Sequence, residues 1–131
     1  MELAPEPRIR PVRVLVADDE PLFIENVQSL VAHDDRVDVV GRATNGQEAV
    51  DLAIALAPDV ILLDLLMPML DGIEATRQIR EQLPEACVLI LTGSSISADV
   101  ERAREAGVAA FLTKDRIGTQ LVESILEVAE R

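Results

Sequence analysis

Five short β-type runs alternate with five segments of helical period along this chain, and that alternation leaves few architectures open. The strand-type runs fall near 13–17, 37–43, 60–64, 87–92 and 109–113. The helix-type segments fall near 21–33, 46–57, 72–83, 98–106 and 117–130. Strand and helix alternating in this way signify an α/β domain built on a parallel sheet with helices on both faces. Local signals agree at the helix starts. Pro21 suits a first-turn position, where its missing N–H would be unpaired anyway. Asn45 and Asp71 each stand three residues before a glutamate, Glu48 and Glu74, close to the capping-box arrangement. Gly41, Gly93 and Gly107 are expected at the ends of strands or helices.

A chain of 131 residues with 49% hydrophobic content fits one domain and can bury a core without metal or disulfide staples. Residues 1–11 hold three of the seven prolines and no hydrophobic period, so they are expected to form a flexible leader before a folded domain at 12–131. With 24 acidic against 12 basic residues the formal charge is −12, which excludes nucleic-acid binding by this domain alone. Cys87 opens an apolar run and is expected to be a small buried hydrophobe; one thiol closes no internal disulfide. Acid and proline occupy the N-terminus where a signal peptide carries basic and then apolar residues, and no apolar stretch is long enough to span a bilayer. A cytoplasmic protein without membrane contact is the expectation.

The helices differ in how firmly they are tied down. The segment near 98–106 offers the sheet only Val100, Ala103 and Ala106, a small apolar area at roughly 25 cal/mol per Å², so it is expected to be the mobile helix. The last helix has two adjacent stripes, Ile117, Leu121, Ile125 and Val128 beside Val122, Leu126 and Ala129. Its apolar arc is wider than a surface helix requires, which leaves open either a broad core face or a homodimer contact.

Chemistry gathers at the strand ends. Asp18 and Asp19 follow the first run and Asp64 the third, while Thr92 and Lys114 stand at the ends of the last two. In an open parallel sheet ligands bind at the strands' carboxyl ends. If the strand order is 2-1-3-4-5, the three aspartates crowd together, and carboxylates so placed raise one another's pKa or recruit a cation. Hard oxygen donors at a solvent-open edge suit Mg²⁺. Zinc has no ligand set here, because His33, the only histidine, lies in a polar stretch and reads as an exposed helix-end residue. A stiffly held carboxylate beside a cation can attack phosphorus, and Lys114 and the Thr92 hydroxyl would then neutralise charge on the transferred group.

These residues resemble the receiver domain of bacterial two-component response regulators. The likeness covers residues 12–130 and is carried by the segment Asp64-Leu65-Leu66-Met67-Pro68-Met69-Leu70-Asp71-Gly72 together with Asp18-Asp19, Thr92 and Lys114. It implies a flavodoxin-like (βα)5 sheet of order 2-1-3-4-5 and a phosphoacceptor role for Asp64, fed by a sensor histidine kinase. It also implies that Asp19, Asp64 and the backbone carbonyl of Leu66 ligate Mg²⁺, with Asp18 acting mostly through water. Thr92 and Phe111 match the family's switch positions, and phosphorylation would change the surface of the fourth and fifth helices. Leu66 and Ser94 occupy positions that influence acyl-phosphate lifetime. Asp115 after Lys114 is similar to the NarL/FixJ subfamily, whose members usually continue into a DNA-binding domain, so transcription control is the implied output. Two rivals are weaker. A phosphatase of the haloacid dehalogenase type resembles Asp-x-Asp where this chain has Leu66 as the third residue. A phosphorylation-independent interaction module would not need the intact acids, Thr92 and Lys114.

Overall fold

The computed structural model describes residues 10–93 and 97–130. The elements follow in the order β1 (Val12–Ala17), α1 (Pro21–Val31), β2 (Val37–Ala43), α2 (Gly46–Leu56), β3 (Val60–Asp64) and α3 (Gly72–Gln82). Then come β4 (Cys87–Thr92), α4 (Ser97–Ala106), β5 (Ala110–Thr113), a 3-10 turn (Lys114–Arg116) and α5 (Ile117–Ala129). All strand pairs are parallel and the sheet order is β2-β1-β3-β4-β5. The leader expected at 1–11 lies outside the described residues except for its last two, and so does Ser94.

Two cores sandwich the sheet. On one face Leu15, Ile61, Leu63 and Ile90 pack with α2, α3 and the Ala103 and Ala106 side of α4. On the other Val14, Val16, Leu62, Leu89 and Leu91 pack with Ile24, Val27 and Val31 of α1 and with Ile117, Leu121, Ile125 and Val128 of α5. Every residue of β3, the central strand, is buried, which makes its last residue a rigid mount. The second stripe of α5, Val122, Leu126 and Ala129, is half-buried against this same core, so the fold itself uses much of its apolar surface. The α4 helix is the contrasting case, with Val100 only partly covered.

The two expected N-caps form: Asn45 Oδ1 accepts from Glu48 N and Asp71 Oδ1 from Glu74 N, each at 2.8 Å. The return half of the box at α3 gives way to an ion pair of Glu74 with Arg77 at 3.1 Å. Asp71→Ala should therefore cost about 1 kcal/mol of stability, measurable as a lower urea midpoint with unchanged slope.

Two expectations need correction. Gly41 lies inside β2 rather than at an end. The β1–β2 register shifts between Val14 and Leu15, and a Cβ at Gly41 would stand 2.7 Å from Leu56 Cδ1 and 3.0 Å from Leu15 Cδ1. Absence of a side chain there makes room for two leucines rather than for a turn. Cys87 is only half-buried, because it is the first residue of β4 and lines an open groove with Pro58, Arg80 and Pro84 at the sheet edge opposite the acidic residues.

Candidate functional site

Parallel strands deliver their carboxyl ends to a single edge, and the candidate residues stand along it. Asp18 and Asp19 directly follow β1, Asp64 ends β3, Thr92 ends β4, and Lys114 opens the 3-10 turn after β5. One carboxylate oxygen from each of Asp18, Asp19 and Asp64 lies within 4.8 Å of the others. The Lys114 ammonium is 2.7 Å from Asp18 Oδ2 and 3.6 Å from Asp64 Oδ2.

The three acids are not equivalent. Asp18 is 1% exposed and both its oxygens are engaged, Oδ1 accepting from Glu20 N at 2.9 Å and Oδ2 from Lys114. Asp19 is exposed, and Asp64 is buried with 8% of its surface accessible. Burial pushes the Asp64 carboxyl up to about 6, and the nearby Asp18 charge adds to that; Lys114 and a backbone hydrogen bond at Leu66 pull it down, and Asp19 raises it again. At Lys114 burial works against the charged form. The hydrogen bond to Asp18 and the charges of Asp64, Asp18 and Glu20 outweigh it, so the lysine sits above its usual range.

The loop after Asp64 is tightly folded. Leu65 N donates to Leu91 O at 3.2 Å, Gly72 N to Leu65 O at 2.9 Å, and Leu70 N to Pro68 O at 2.8 Å across Met69, whose φ is 70°. That turn holds Met69 outward at 79% exposure, and Leu66 is 75% exposed. Leu66 thus offers no acid to the site, and its backbone is what meets Asp64.

Of the sequence-level candidates, Asp18, Asp19, Asp64 and Lys114 are in mutual reach. Thr92 is buried at the same edge, paired in register with Thr113. Phe111 lies three residues before Lys114, half-buried on the sheet face that carries α3 and α4. One participant was not singled out by motif reasoning: the Phe23 ring, whose centroid is 4.3 Å from Lys114 Nζ. Its signal was an aromatic side chain in the first turn of α1, two residues after Pro21, in a chain with only two aromatics.

The donor chemistry fits a small hard cation. Carboxylate oxygens are the donors at hand, and His33 is exposed in the turn after α1. Residues 14–126 match the response regulator receiver domain family, a span that holds the three acids, Thr92, Phe111 and Lys114.

The chain belongs to that family.

Among relatives of this receiver domain, the transcriptional regulatory protein LnrK of Bacillus subtilis (strain 168) is 35% identical over 117 residues, covering 89% of this chain and 53% of LnrK. A protein-glutamate methylesterase/protein-glutamine glutaminase of Pseudomonas fluorescens (strain Pf-5) is 42% identical over 108 residues, 79% of this chain and 28% of that protein. The receiver domain of NarL from Mycobacterium tuberculosis superposes with a TM-score of 0.88 at 38% identity, covering 92% of this chain and 98% of that one. The chain spans about half the length of LnrK and less of the methylesterase. No helix among the described residues is long and apolar enough to cross a membrane.

Proposed function

We propose that this receiver domain takes a phosphoryl group on Asp64 from a phosphohistidine of a sensor histidine kinase and passes the event on as a change of surface at α4 and α5. The observation that carries the reading is the rigid, buried Asp64 carboxylate with two further carboxylates and one ammonium around it. An Asp64 oxygen attacks phosphorus, the P–N bond of the donor breaks, and its electron pair returns to the imidazole. Asp19, Asp64 and the Leu66 carbonyl would hold Mg²⁺, with Asp18 a water-mediated partner. When bound, that ion supplies positive charge against the oxygens of the transferred group.

The chain's own groups do the remainder. Lys114 compensates charge on the phosphoryl oxygens at the position where it now pairs with Asp18. Thr92 presents its hydroxyl to the same group. Its displacement reaches α4, the helix with the smallest apolar anchor, and frees Phe111 to reorient. Moving such an equilibrium from 1:99 to 99:1 takes about 5.5 kcal/mol of differential stabilisation, the order that several charge-assisted contacts provide.

In this reading residues 12–131 form the receiver, 1–11 a leader, and the protein works in the cytoplasm. The output is transcription, through a DNA-binding domain outside these 131 residues, and homodimers form through α5 with α1. The acidic receiver itself does not bind nucleic acid. Incubation with acetyl phosphate and Mg²⁺ should add one phosphoryl group by intact mass, and chelation should prevent it. Borohydride reduction should then convert residue 64, and no other aspartate, to homoserine. Label at a different residue overturns the assignment of Asp64, and its absence in Mg²⁺ overturns the function.

A further inference from the structure

Lysine carries its ammonium on a flexible four-carbon stem, so a lysine that must meet a small target needs its end located by something else. At Lys114 one side is set by Asp18 Oδ2, 2.7 Å from Nζ, and the target Asp64 Oδ2 stands 3.6 Å away. The third neighbour is an aromatic face: Nζ lies 4.3 Å from the centroid of Phe23. Phe23 is fixed in turn. It belongs to the first turn of α1, where Pro21 sets the backbone and Phe23 N donates to Glu20 O at 3.0 Å, and its ring is half-buried at the edge of the core shared by α1 and α5.

A ring face attracts a cation through its quadrupole, within about 6 Å of the centroid. Unlike a carboxylate, it imposes little direction in the plane of the ring. An ammonium resting on it can shift between neighbouring oxygens and keep the attraction throughout.

We propose that Phe23 is a positioning residue for Lys114, its ring face holding the ammonium within reach of Asp64 as the lysine exchanges Asp18 for an oxygen of the incoming phosphoryl group. This rests on the phosphoacceptor reading of Asp64. In the test reaction an Asp64 oxygen attacks the phosphorus of acetyl phosphate and acetate leaves with the electron pair of the broken P–O bond. Phe23 takes no part in the bond changes.

The test replaces Phe23 alone with fluorinated phenylalanines carrying one, two and five ring fluorines, which strip the quadrupole while leaving shape nearly constant. The rate of phosphoryl uptake from acetyl phosphate in Mg²⁺ should fall stepwise along the series, by about tenfold at the pentafluoro ring. A role confined to packing would leave the rate flat, because the ring volume hardly changes. In the unmodified protein the Lys114 ε-methylene protons should resonate upfield under the Phe23 ring current, and Phe23→Leu should abolish that shift. Uptake that is indifferent to fluorination overturns the proposal, as does an unshifted Lys114 resonance. A wild-type domain that takes up no phosphoryl group instead overturns the reading of Asp64, and the Lys114 resonance then still reports whether the contact exists.

Discussion

Asp64→Asn should abolish phosphoryl uptake and, in the same protein, raise the unfolding temperature of the metal-free domain. The first half follows from the role proposed for Asp64: a neutral amide is a poor nucleophile toward phosphorus where a carboxylate is competent, and a loss beyond about 10³-fold is expected. The second half follows from the environment of Asp64. Burial and the neighbouring Asp18 charge hold its carboxyl up at about 6, so at neutral pH the folded chain carries an ionised group that it disfavours. Asparagine keeps a side-chain oxygen at this position without the charge, and Lys114 retains its bond to Asp18.

The pH window fixes the sign. The folded pKa lies above the unfolded value of about 3.9, so between about pH 4 and 6 the folded state holds a proton that the unfolded chain has released, and stability falls as pH rises through that range. Thermal melts in EDTA should show Asp64→Asn ahead by roughly 3 °C at pH 7, with the gap closing below about pH 4. A variant less stable than wild type at pH 7 contradicts this account of the carboxylate. Such a gain is the trade expected where the removed group is the one proposed to react.

Gly46→Ala is expected to cost the most stability of any glycine-to-alanine change in this chain, about 3 kcal/mol. The Cβ would stand 1.9 Å from the carbonyl oxygen of Leu70, inside van der Waals contact with backbone. Neither side yields easily. Gly46 begins α2 under the Asn45 cap, and Leu70 is held by its own bond to Pro68 O and by the Asp71 cap that follows. Displacing Leu70 moves the loop that begins at Asp64, so the loss should appear in phosphoryl uptake as well as in the melting temperature, which should drop by roughly 10 °C. Gly118→Ala is the matching control: nothing lies within 4 Å of its added Cβ, and in the first turn of α5 alanine should be neutral or slightly stabilising. If the two substitutions prove equivalent, steric exclusion at Gly46 is not what selects glycine there.

The architecture was legible because each level of the chain agrees. Strand-type runs, caps at Asn45 and Asp71 and a proline opening α1 all point to one alternation, and the observed elements depart from the expected bounds by at most two residues. The acidic edge was legible for a related reason. In a parallel sheet, a residue immediately after a strand has a known destination, so Asp18, Asp19, Asp64 and Lys114 could be placed together without coordinates. Side-chain meetings between distant elements had no such rule. Phe23 against Lys114 joins residues from α1 and the turn after β5, and the Gly46 contact joins α2 to the loop before α3. Gly41 misled because glycine reads locally as punctuation, whereas here its lack of a side chain serves Leu15 and Leu56 across a register shift. Cys87 misled because the first residue of a buried strand can still face the rim.

The tie between Lys114 and Asp18 has a consequence for the life history of the molecule. A built-in cation already balances the deepest of the three acids, so the polypeptide can reach its finished shape straight from the ribosome in a magnesium-poor setting. Under the proposed function the divalent ion would join an already completed scaffold, so a chelator should stop phosphoryl uptake and leave the melting temperature of the domain in place.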